Sequence, residues 1–315
     1  MRILAVLVLL LAGFAALTLW RAARNEAAAE RAYPPSGQFI EVDGQRVHAL
    51  VQGEGPDLVL IHGSSGNLRD FTYDMVGPLS ERYRVIAFDR PGLGYSDPIS
   101  PEGASLSEQA AVLVAAARQL GAERPIVLGQ SLGGAVALAW AVEHPDSLSA
   151  LVTVSGVAYP WDTGLGLYYT VLASWPGRTF VIPLITAWIT EAQIEGAIAD
   201  VYAPLPMPEG YADHLGPRMI VRRGPLRANA LQRRGLLDWV TVQAPRYGDI
   251  SVPVEIVHGR EDTTVAYRIH AIPLSEAVPG ANLTTLETPS HMPHHTHFDT
   301  VIDAIDRAAA RAGLR

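Results

Sequence analysis

A single serine stands in a segment that could make it a nucleophile. Ser131 lies in Gly129–Gly134 (GQSLGG), between an apolar run at Ile126–Leu128 and a stretch rich in Ala, Val and Leu that continues to about Val142. This predicts a strand, a tight turn and a helix, the arrangement called a nucleophile elbow. The turn is strained and its neighbours must be small, so that the serine Oγ projects above the sheet. The first amides of the helix face that hydroxyl and can stabilise negative charge there.

A second glycine-rich turn offers candidate backbone donors. Residues 62–67 (HGSSGN) directly follow an apolar run at Leu58–Ile61 that predicts a strand. A negatively charged oxygen formed during acyl transfer needs two N–H donors, together called an oxyanion hole. We predict that the backbone amides of Ser64 and of Leu132, the residue after the nucleophile, supply them. An ordinary glycine-rich turn is the alternative interpretation.

A carboxylate and a histidine follow two later predicted strands. Asp262 comes shortly after Val254–Val257, and His291 comes shortly after Asn282–Leu286. The chain order Ser, acid, His differs from the orders in chymotrypsin-like and subtilisin-like proteases. All three candidates follow the carboxyl ends of strands, where open α/β sheets place their ligand sites. We predict Ser131 as nucleophile, His291 as general base, and Asp262 as the group that orients and stabilises that histidine.

Both the acid and the histidine have competitors nearby. Glu261 adjoins Asp262, which we prefer because of its offset from Gly259. Three further histidines follow His291 closely: His294, His295 and His297. Four imidazoles within seven residues could indicate a metal site, but no acidic residue or Cys accompanies them. We therefore expect surface or helix-start histidines there, and no metal.

The elements that must position these residues alternate between strands and helices. Short apolar runs ending in turn residues predict buried parallel strands, and helical spacing over Ser105 to Leu120 predicts one of the intervening helices. Asp43 and Gly44 predict a hairpin between the first two strands. The fold class is therefore α/β, with a doubly wound, mostly parallel sheet. The predicted strands are 39–42, 46–52, 57–61, 84–88, 126–128, 150–154, 254–257 and 282–286, and a closing helix spans 299–312.

This alternation stops from about Val157 to Pro245, a stretch rich in aromatic residues and proline. Strands resume afterwards in the same rhythm. We therefore predict one sheet interrupted by a helical cap insertion, rather than a separate second domain. The predicted organisation is an N-terminal segment at 1–24, a first part of the core at 25–156, the cap at 157–245 and a second part of the core at 246–315.

The N-terminal segment has the character of a membrane anchor. Eighteen uncharged and mostly apolar residues run from Ile3 to Trp20, bounded by Arg2 and Arg21. That length is just enough for a helix to cross a bilayer. We predict a single-pass anchor followed by a short Ala/Glu/Arg linker, and a signal peptide cleaved near Ala27–Ala29 is the alternative. The flanking arginines nearly balance, and we favour a bacterial inner membrane with the catalytic domain on its periplasmic side.

Composition excludes several other classes of function. The 315 residues are 49% hydrophobic, enough to bury a sizeable core. With a formal charge of -8 and no Lys-rich run, the chain lacks the basic footprint that nucleic acids require. The absence of Cys excludes disulfides, thiolate metal sites and a Cys nucleophile. Asp89–Asp97 is rich in glycine but contains no nucleotide-binding pattern, so we expect a structural loop there and no organic cofactor.

Together these segments resemble the α/β-hydrolase superfamily, in particular its capped branch of esterases, lipases, C–C bond hydrolases, haloperoxidase-like enzymes and epoxide hydrolases. The resemblance covers about residues 39–315 apart from the cap. It rests on residues 62–66, 89–92, 129–134, 259–262 and 290–292. Dehalogenase and epoxide-hydrolase members use an Asp nucleophile, so Ser131 favours acyl chemistry through a covalent ester. Ser290 is a departure, because the family usually has Gly before the histidine.

The cap is expected to select the substrate. An apolar pocket beneath it would suit a lipophilic or aromatic ester, although its aromatic side chains could instead form the cap's own core. These aromatic residues are Trp161, Tyr168, Tyr169, Trp175, Phe180, Trp188 and Trp239. Five arginines could contact a carboxylate or lipid headgroups, or simply face solvent: Arg222, Arg223, Arg227, Arg233 and Arg234.

The sequence therefore predicts a hydrolase of carboxylic esters that works through an acyl-enzyme on Ser131, without metal or organic cofactor. Its partners would be a small lipophilic ester and, through the N-terminal helix, a membrane. Cleavage of a C–C or amide bond and acyl transfer to another acceptor use the same triad and are the alternatives among enzymes. A non-catalytic scaffold tethered to the membrane is the alternative from another class.

Overall fold

Eight strands form one sheet at the centre of the protein. The computed structural model describes residues 1–162 and 166–315, and residues 163–165 of the predicted cap lie outside the described residues. The strands are ordered β1-β2-β4-β3-β5-β6-β7-β8 across the sheet. They are β1 (Gln38–Val42), β2 (Gln45–Gln52), β3 (Asp57–Ile61), β4 (Arg84–Phe88), β5 (Ile126–Gln130), β6 (Ala150–Val154), β7 (Val254–Gly259) and β8 (Asn282–Leu286). This confirms the predicted α/β fold class.

The sheet is antiparallel at the edge formed by its first two strands and parallel elsewhere, as the residue patterns predict. β1 and β2 form an antiparallel hairpin, whose turn residues Asp43 and Gly44 have φ angles of 51° and 80°, and β2 also pairs antiparallel with β4. The neighbours among β3 to β8 pair in parallel. β5 and β6 are buried at every position, because helices cover both of their faces. All of these parallel strands end at the same edge.

Helices lie on both faces of the sheet and above its carboxyl edge. One face packs against α4 and α5, whereas the other packs against the segment around α2 and α3 and against α14. The helices before β7 are α1 (Arg2–Ala32), α2 (Arg69–Thr72), α3 (Val76–Ser80), α4 (Leu106–Gln119), α5 (Leu132–Glu143), α6 (Leu167–Ala173), α7 (Ile182–Trp188), α8 (Glu191–Asp200), α9 (Tyr211–Leu215), α10 (Pro217–Ile220) and α11 (Arg223–Gln243). Those after β7 are α12 (Tyr267–Ala277), α13 (Pro293–Thr296) and α14 (Phe298–Arg311).

The chain between β6 and β7 forms the helical cap, which contains α6 to α11. A π-helical turn at Gly177–Val181 leads directly into α7, and a 3-10 helix at Ala244–Asp249 returns the chain to the sheet. The cap forms one small apolar cluster around Leu172 and Ala230 and most of a second one around Tyr202 and Tyr211, which Met292 joins from the core. The end of α11 joins the main core, so the cap is anchored to the sheet at that end.

The N-terminal helix differs from the prediction at its end. We predicted a linker after residue 24, which was wrong, because α1 continues without a break to Ala32. Ala, Glu and Arg are strong helix formers, and the cap gives this half of the helix partners. Glu26 pairs with Arg223 at 2.6 Å, and Glu30 pairs with Arg222 at 2.8 Å. The second half of α1 is therefore docked on the cap.

The first half of α1 has the length and composition of a membrane span. Its most apolar 18-residue window has a mean hydropathy of 2.6, and 6% of that window is buried. Among the described residues, α1 is the one helix long and apolar enough to cross a bilayer. A signal sequence has the same character.

Candidate active site

Ser131 occupies the turn between β5 and α5. Its backbone has φ 52° and ψ -118°, a conformation that non-glycine residues rarely adopt and that costs about 1–3 kcal/mol. Its neighbours have to be glycine: a Cβ on Gly129 would lie 2.2 Å from the carbonyl oxygen of Gly133, and one on Gly133 would lie 2.2 Å from that of Ile61. The turn therefore has the strained geometry expected from the sequence.

The loops after β7 and β8 bring Asp262 and His291 to this serine. His291 Nε2 lies 3.2 Å from Ser131 Oγ, and His291 Nδ1 lies 2.8 Å from Asp262 Oδ2. All three residues are buried. With Nδ1–H donating to the carboxylate, Nε2 of a neutral His291 is free to accept the serine proton. The structure thus brings the three predicted residues into one chain of hydrogen bonds.

Asp262 is held as a carboxylate by several donors. Its Oδ1 accepts hydrogen bonds from the amides of Thr264 at 2.8 Å and Val265 at 2.9 Å. Burial alone would raise the pKa of this carboxyl group, but hydrogen bonds from His258, His291 and the backbone hold the pKa well below its usual range. The group beside His291 is therefore a permanent negative charge near neutral pH.

Two residues left the predicted site open to another interpretation, and the structure accounts for both. They are Glu261, the alternative acid, and Ser290, the departure from the family pattern. Glu261, the alternative acid, is exposed, whereas Asp262 points inward. Ser290, which stands where glycine was expected, is buried, and its Oγ lies 2.6 Å from Thr296 Oγ1. Its backbone passes so close to Gly259 that a Cβ there would lie 2.5 Å from the Ser290 carbonyl oxygen. The two backbone segments can approach this closely because residue 259, the last residue of β7, is glycine.

The loop after β3 lies beside the nucleophile. A Cβ on Gly63 would lie 3.2 Å from Ser131 Cβ, and the following residue, Ser64, borders the same cavity as the nucleophile. Leu132 is the first residue of α5, so its amide has no partner within the helix. The two predicted oxyanion donors therefore belong to residues near Ser131, one next to it in the chain and one in the adjacent loop.

Asn229 of the cap holds this loop in place, and the sequence did not single it out. Its Oδ1 accepts hydrogen bonds from Ser64 Oγ and from the amide of Ser65, both at 2.8 Å. Its Nδ2 donates to Ser65 Oγ at 2.9 Å. Asn229 is buried in α11, which is distant in sequence, so local sequence carries no signal for this contact.

Arg90 also stabilises the loop at residues 62–67. Its fully buried guanidinium donates to the carbonyl oxygens of His62 at 2.8 Å and Gly63 at 2.9 Å, and to the side chains of Gln109 and Gln232. Burial lowers the pKa of Arg90 to about 9, and burial together with Arg90 lowers the pKa of His62 to about 4. His62 is therefore neutral near pH 7. These contacts agree with the structural role expected for the loop that begins at residue 89.

Comparisons with known proteins give the family. The family model described as the alpha/beta hydrolase fold matches residues 56–188. An uncharacterized protein of Mycobacterium tuberculosis is 30% identical over 290 residues, which cover 87% of this chain and 81% of that protein. Haloalkane dehalogenase 2 of the same species is 28% identical over 290 residues, covering 88% of this chain and 94% of that protein.

A solved structure agrees in fold. The esterase EaEST from Exiguobacterium antarcticum superposes with a TM-score of 0.69 at 21% identity, covering 86% of this chain and 99% of the esterase. The chain belongs to the α/β-hydrolase family. This α/β-hydrolase is therefore an enzyme of the hydrolase class; a dehalogenase is among its sequence relatives, and an esterase shares its fold.

A cavity of this α/β-hydrolase lies between the cap and the chain of hydrogen bonds formed by Ser131, His291 and Asp262. It has a volume of about 390 Å³, within the range of small-molecule sites. Ser131 and His291 lie at its floor, and mostly branched aliphatic and Tyr side chains from the cap form its walls. A larger cavity of about 970 Å³ lies between α1 and α11, but none of the triad residues borders it. Of these two cavities, the smaller one contains the candidate nucleophile and its candidate base.

The aromatic residues proposed for the pocket have different surroundings. Tyr168 and Tyr169 line the cavity, whereas Trp175 and Phe180 are exposed. Trp188 stacks on Phe14 of α1 with ring centroids 5.9 Å apart. The remaining two, Trp161 and Trp239, pack against the main core. The cavity walls therefore contain no Trp or Phe and consist mainly of Ile, Leu, Val and Tyr side chains among the described residues.

The cap arginines are largely taken by protein partners. Arg222 and Arg223 pair with α1, and Arg227 donates to the carbonyl oxygen of Leu172 at 2.8 Å. Arg233 lines the cavity and lies over the ring of Tyr169, with its guanidinium carbon 4.8 Å from the ring centroid. Of the four, Arg233 is therefore the cation beside the substrate space.

The histidines after His291 lie at helix starts, which was one of the two expectations, but His294 and His295 form a buried cluster, so the expectation of surface residues was wrong for these two. His295 Nε2 lies 3.0 Å from Asp70 Oδ1, and His295 Nδ1 lies 2.8 Å from Asp74 Oδ1. His294 Nε2 lies 3.3 Å from Asp70, which also accepts a hydrogen bond from Tyr211 of the cap at 2.6 Å. The acidic partners come from the segment of α2, more than 200 residues away in sequence, which is why the local sequence did not show them.

The charges in this cluster compensate one another. Burial alone would lower the pKa of His295, but hydrogen bonds to Asp70 and Asp74 outweigh it and raise that pKa to about 9. Burial would raise the pKa of Asp70, but His294 and His295 hold it well below its usual range. The donor atoms of Asp70, His294 and His295 lie within 4.8 Å of one another, a set that could hold a divalent ion. A cationic His295 between two carboxylates accounts for the same geometry through hydrogen bonds alone.

Proposed function

We propose that this protein is a serine hydrolase that cleaves a carboxylic ester of a lipophilic or aromatic substrate through an acyl-enzyme on Ser131. The observation that carries this proposal is the Ser131–His291–Asp262 chain of hydrogen bonds at the floor of an apolar cavity. A serine in this position favours acyl chemistry over the displacement reactions of family members that have an Asp nucleophile.

In the first half of the reaction, Ser131 Oγ forms a bond to the acyl carbon while His291 Nε2 takes the hydroxyl proton. The amides of Ser64 and Leu132 donate hydrogen bonds to the oxygen that becomes negative. The bond between the acyl carbon and the leaving oxygen then breaks, and His291 gives its proton to the departing alcohol. Asp262 stabilises the imidazolium formed in between.

In the second half, a water molecule repeats these steps. His291 takes one proton from the water as its oxygen attacks the acyl-enzyme, and the same two amides hold the negative oxygen. The bond to Ser131 Oγ breaks and the serine regains its proton from His291. The carboxylic acid leaves, and the enzyme returns to its starting state without metal or organic cofactor.

We also propose that α1 anchors the enzyme in a bacterial inner membrane with the catalytic domain on the periplasmic side. The length and hydropathy of α1 support the anchor. A reporter enzyme that is active only outside the cytoplasm, fused after Arg315, tests the orientation. We expect the fusion to be active, and an inactive but expressed fusion would reverse the proposed orientation.

The catalytic proposal is tested by labelling the purified protein with a fluorophosphonate probe. We expect wild type to be labelled at one site, and Ser131→Ala and His291→Ala to lose labelling, because the probe reacts only with an activated serine. Ser275→Ala is the matched control, since its Oγ donates to a carbonyl oxygen within α12 and it should label like wild type. Absence of labelling in folded wild type would refute the proposal that the protein is a serine hydrolase.

A panel of esters with short to long acyl chains then tests the substrate class. We expect kcat/KM to rise with acyl length, because each buried CH₂ contributes about 0.8 kcal/mol of transfer free energy, or roughly fourfold in kcat/KM. A preference for acetyl esters at every alcohol group would remove the lipophilic part of the proposal while leaving the triad in place.

A further inference from the structure

The exposed apolar side chains of the cap are concentrated in one short stretch. Among the described residues that follow α1, ten large apolar side chains are exposed, and six of them fall between residues 167 and 188. Trp175 and Phe180 are 69% and 57% exposed and contact each other edge to face. We call this surface the cap lip, formed by Leu167, Tyr168, Trp175, Phe180, Leu184 and Trp188. Exposed apolar side chains concentrated in one stretch in this way are typical of an interaction surface.

The contacts between α1 and the end of α7 determine how deep the cap lip would lie in a bilayer that α1 spans. The apolar run of α1 ends at Arg21, whose guanidinium lies 4.5 Å from the centroid of the Trp188 ring. Trp188 also stacks on Phe14, and its Nε1 donates to Thr18 Oγ1 at 3.1 Å. Phe14 precedes Arg21 by seven residues, or roughly 10 Å of helix towards the centre of the bilayer. If α1 spans the membrane, the end of α7 therefore lies at the level of the lipid headgroups or closer to the centre of the bilayer.

Helix α7 has two apolar faces with different surroundings. Leu184 and Trp188, one turn apart, are both 38% exposed on the cap lip. Ile185, together with Ile189 just past the end of the helix, lines the cavity that contains Ser131. One helix thus separates the outer apolar surface from the substrate space. Tyr168 belongs to both, since it is 51% exposed and also lines the cavity.

Arginine side chains follow the apolar run of α1 and adjoin the cap lip in sequence, where a spanning α1 would place lipid headgroups. Arg21 and Arg24 follow the apolar run of α1, and Arg178 is exposed two residues before Phe180. Guanidinium groups at this level bind lipid phosphates, and Trp side chains are enriched at membrane interfaces. Arg24 also lies over the ring of Trp20, with its guanidinium carbon 5.5 Å from the ring centroid.

We propose that the cap lip inserts into the bilayer interface beside α1 and that the substrate enters the cavity from the membrane through the Tyr168 side of the cap. This inference rests on the proposed membrane anchor and ester hydrolase, and it narrows the substrate to lipophilic esters dissolved in the membrane. The partner is the lipid bilayer itself, with its apolar region against the lip and its phosphates against the arginines.

The position of the cap lip is measured with single cysteines, which the natural chain lacks. An environment-sensitive dye is attached to Phe180→Cys in the full-length protein, reconstituted in vesicles of phosphatidylethanolamine and phosphatidylglycerol. Leu10→Cys in α1 is the membrane reference. Val242→Cys is the aqueous reference, because Val242 is 77% exposed and lies roughly 18 Å further along α11 than Ala230, which packs near the lip. Brominated lipids quench the dye only where it contacts the bilayer.

We expect quenching at positions 10 and 180 and none at position 242. Quenching at position 10 without quenching at position 180 would overturn the insertion of the cap lip while leaving the anchor intact. Absence of quenching at position 10 would refute the anchor and, with it, the inference.

Kinetics with two substrates provide an independent test. We expect the double variant Trp175→Ser and Phe180→Ser to hydrolyse a water-soluble short ester within about twofold of wild type, since neither side chain lines the cavity. The rate on a long-chain ester embedded in vesicles should fall about tenfold, because the apolar contact with the interface is lost. Val242→Ser is the matched control and should change neither rate. Equal loss on both substrates, or no loss on the embedded one, would contradict entry through the membrane.

Discussion

Two histidines four residues apart in this chain have different carboxylate surroundings. His291 has a carboxylate on Nδ1, and its Nε2 faces a serine in a cavity. His295 has a carboxylate on each nitrogen and is closed off from solvent. The first arrangement leaves a nitrogen that can accept and return a proton, whereas the second holds the proton in place. The number of carboxylates around an imidazole therefore separates a group that can exchange protons from a fixed cation.

The largest effect should come from the acid beside His291. We expect Asp262→Asn to lower kcat about 10⁴-fold, because an amide cannot stabilise the imidazolium or hold the required tautomer. The measurement is the steady-state hydrolysis of a soluble ester. Glu261→Gln is the matched control next to it, and since Glu261 is exposed we expect its kcat to stay within about twofold of wild type. Similar losses in the two variants would mean that the acid has been misassigned.

A smaller effect on stability should come from His295. Its pKa is raised to about 9 in the folded state, so its contribution is fully present below about pH 6.5 and is lost as the pH rises through about 9. We expect this contribution to be about 3 kcal/mol of the free energy of unfolding. Urea unfolding of the full chain at several pH values in that window measures it.

The variant His295→Gln tests whether His295 is the cause. It should be less stable than wild type at pH 6 by about 3 kcal/mol, and the difference should shrink towards pH 9. His297→Gln is the control, because burial lowers the pKa of His297, away from the range near pH 9 in which His295 loses its proton. A difference between wild type and His295→Gln that is independent of pH would show that the His295 cluster does not hold a proton as described.

The smallest effect concerns the link between this cluster and the cap. We expect Tyr211→Phe to lower the free energy of unfolding by about 1–2 kcal/mol, because the buried Asp70 loses one of its donors but keeps both histidines. Urea unfolding measures the change. Tyr73→Phe is the control, since its hydroxyl donates to an exposed carbonyl oxygen, and it should cost less than about 0.5 kcal/mol. Equal effects would indicate that Asp70 does not depend on the cap.

The strands and the triad loops could be predicted because their signals are local. Each predicted strand has a counterpart in the structure, and the ends of the strands differ by at most two residues. An apolar run that ends in turn residues marks a buried strand wherever it occurs. The turn at the candidate nucleophile needs glycines two residues before and two residues after Ser131. Position 259 also needs glycine, because the backbone of Ser290 passes close to it. These requirements act within a few residues and are therefore visible in the sequence.

The histidine cluster and the end of α1 were predicted incorrectly because their partners are distant. Nothing near His295 indicates Asp70 or Asp74, and nothing near Glu26 indicates Arg223. Local composition suggested surface or helix-start histidines and a linker; the helix starts are present, but the burial and the continuous helix were not expected. Folding brought carboxylates to the histidines and arginines to the helix, and that changed both burial and charge.

By itself, the sequence determined the α/β sheet, the position of the candidate nucleophile and the apolar character of α1, because backbone sterics and hydrophobic periodicity depend on neighbouring residues. Only the tertiary structure decided which carboxylate meets which histidine, that Asn229 and Arg90 hold the loop beside Ser131, and which side of α7 faces the cavity. Hydrogen bonds and apolar contacts act over a few ångströms in space, without regard to separation along the chain. Their partners are therefore chosen by the fold.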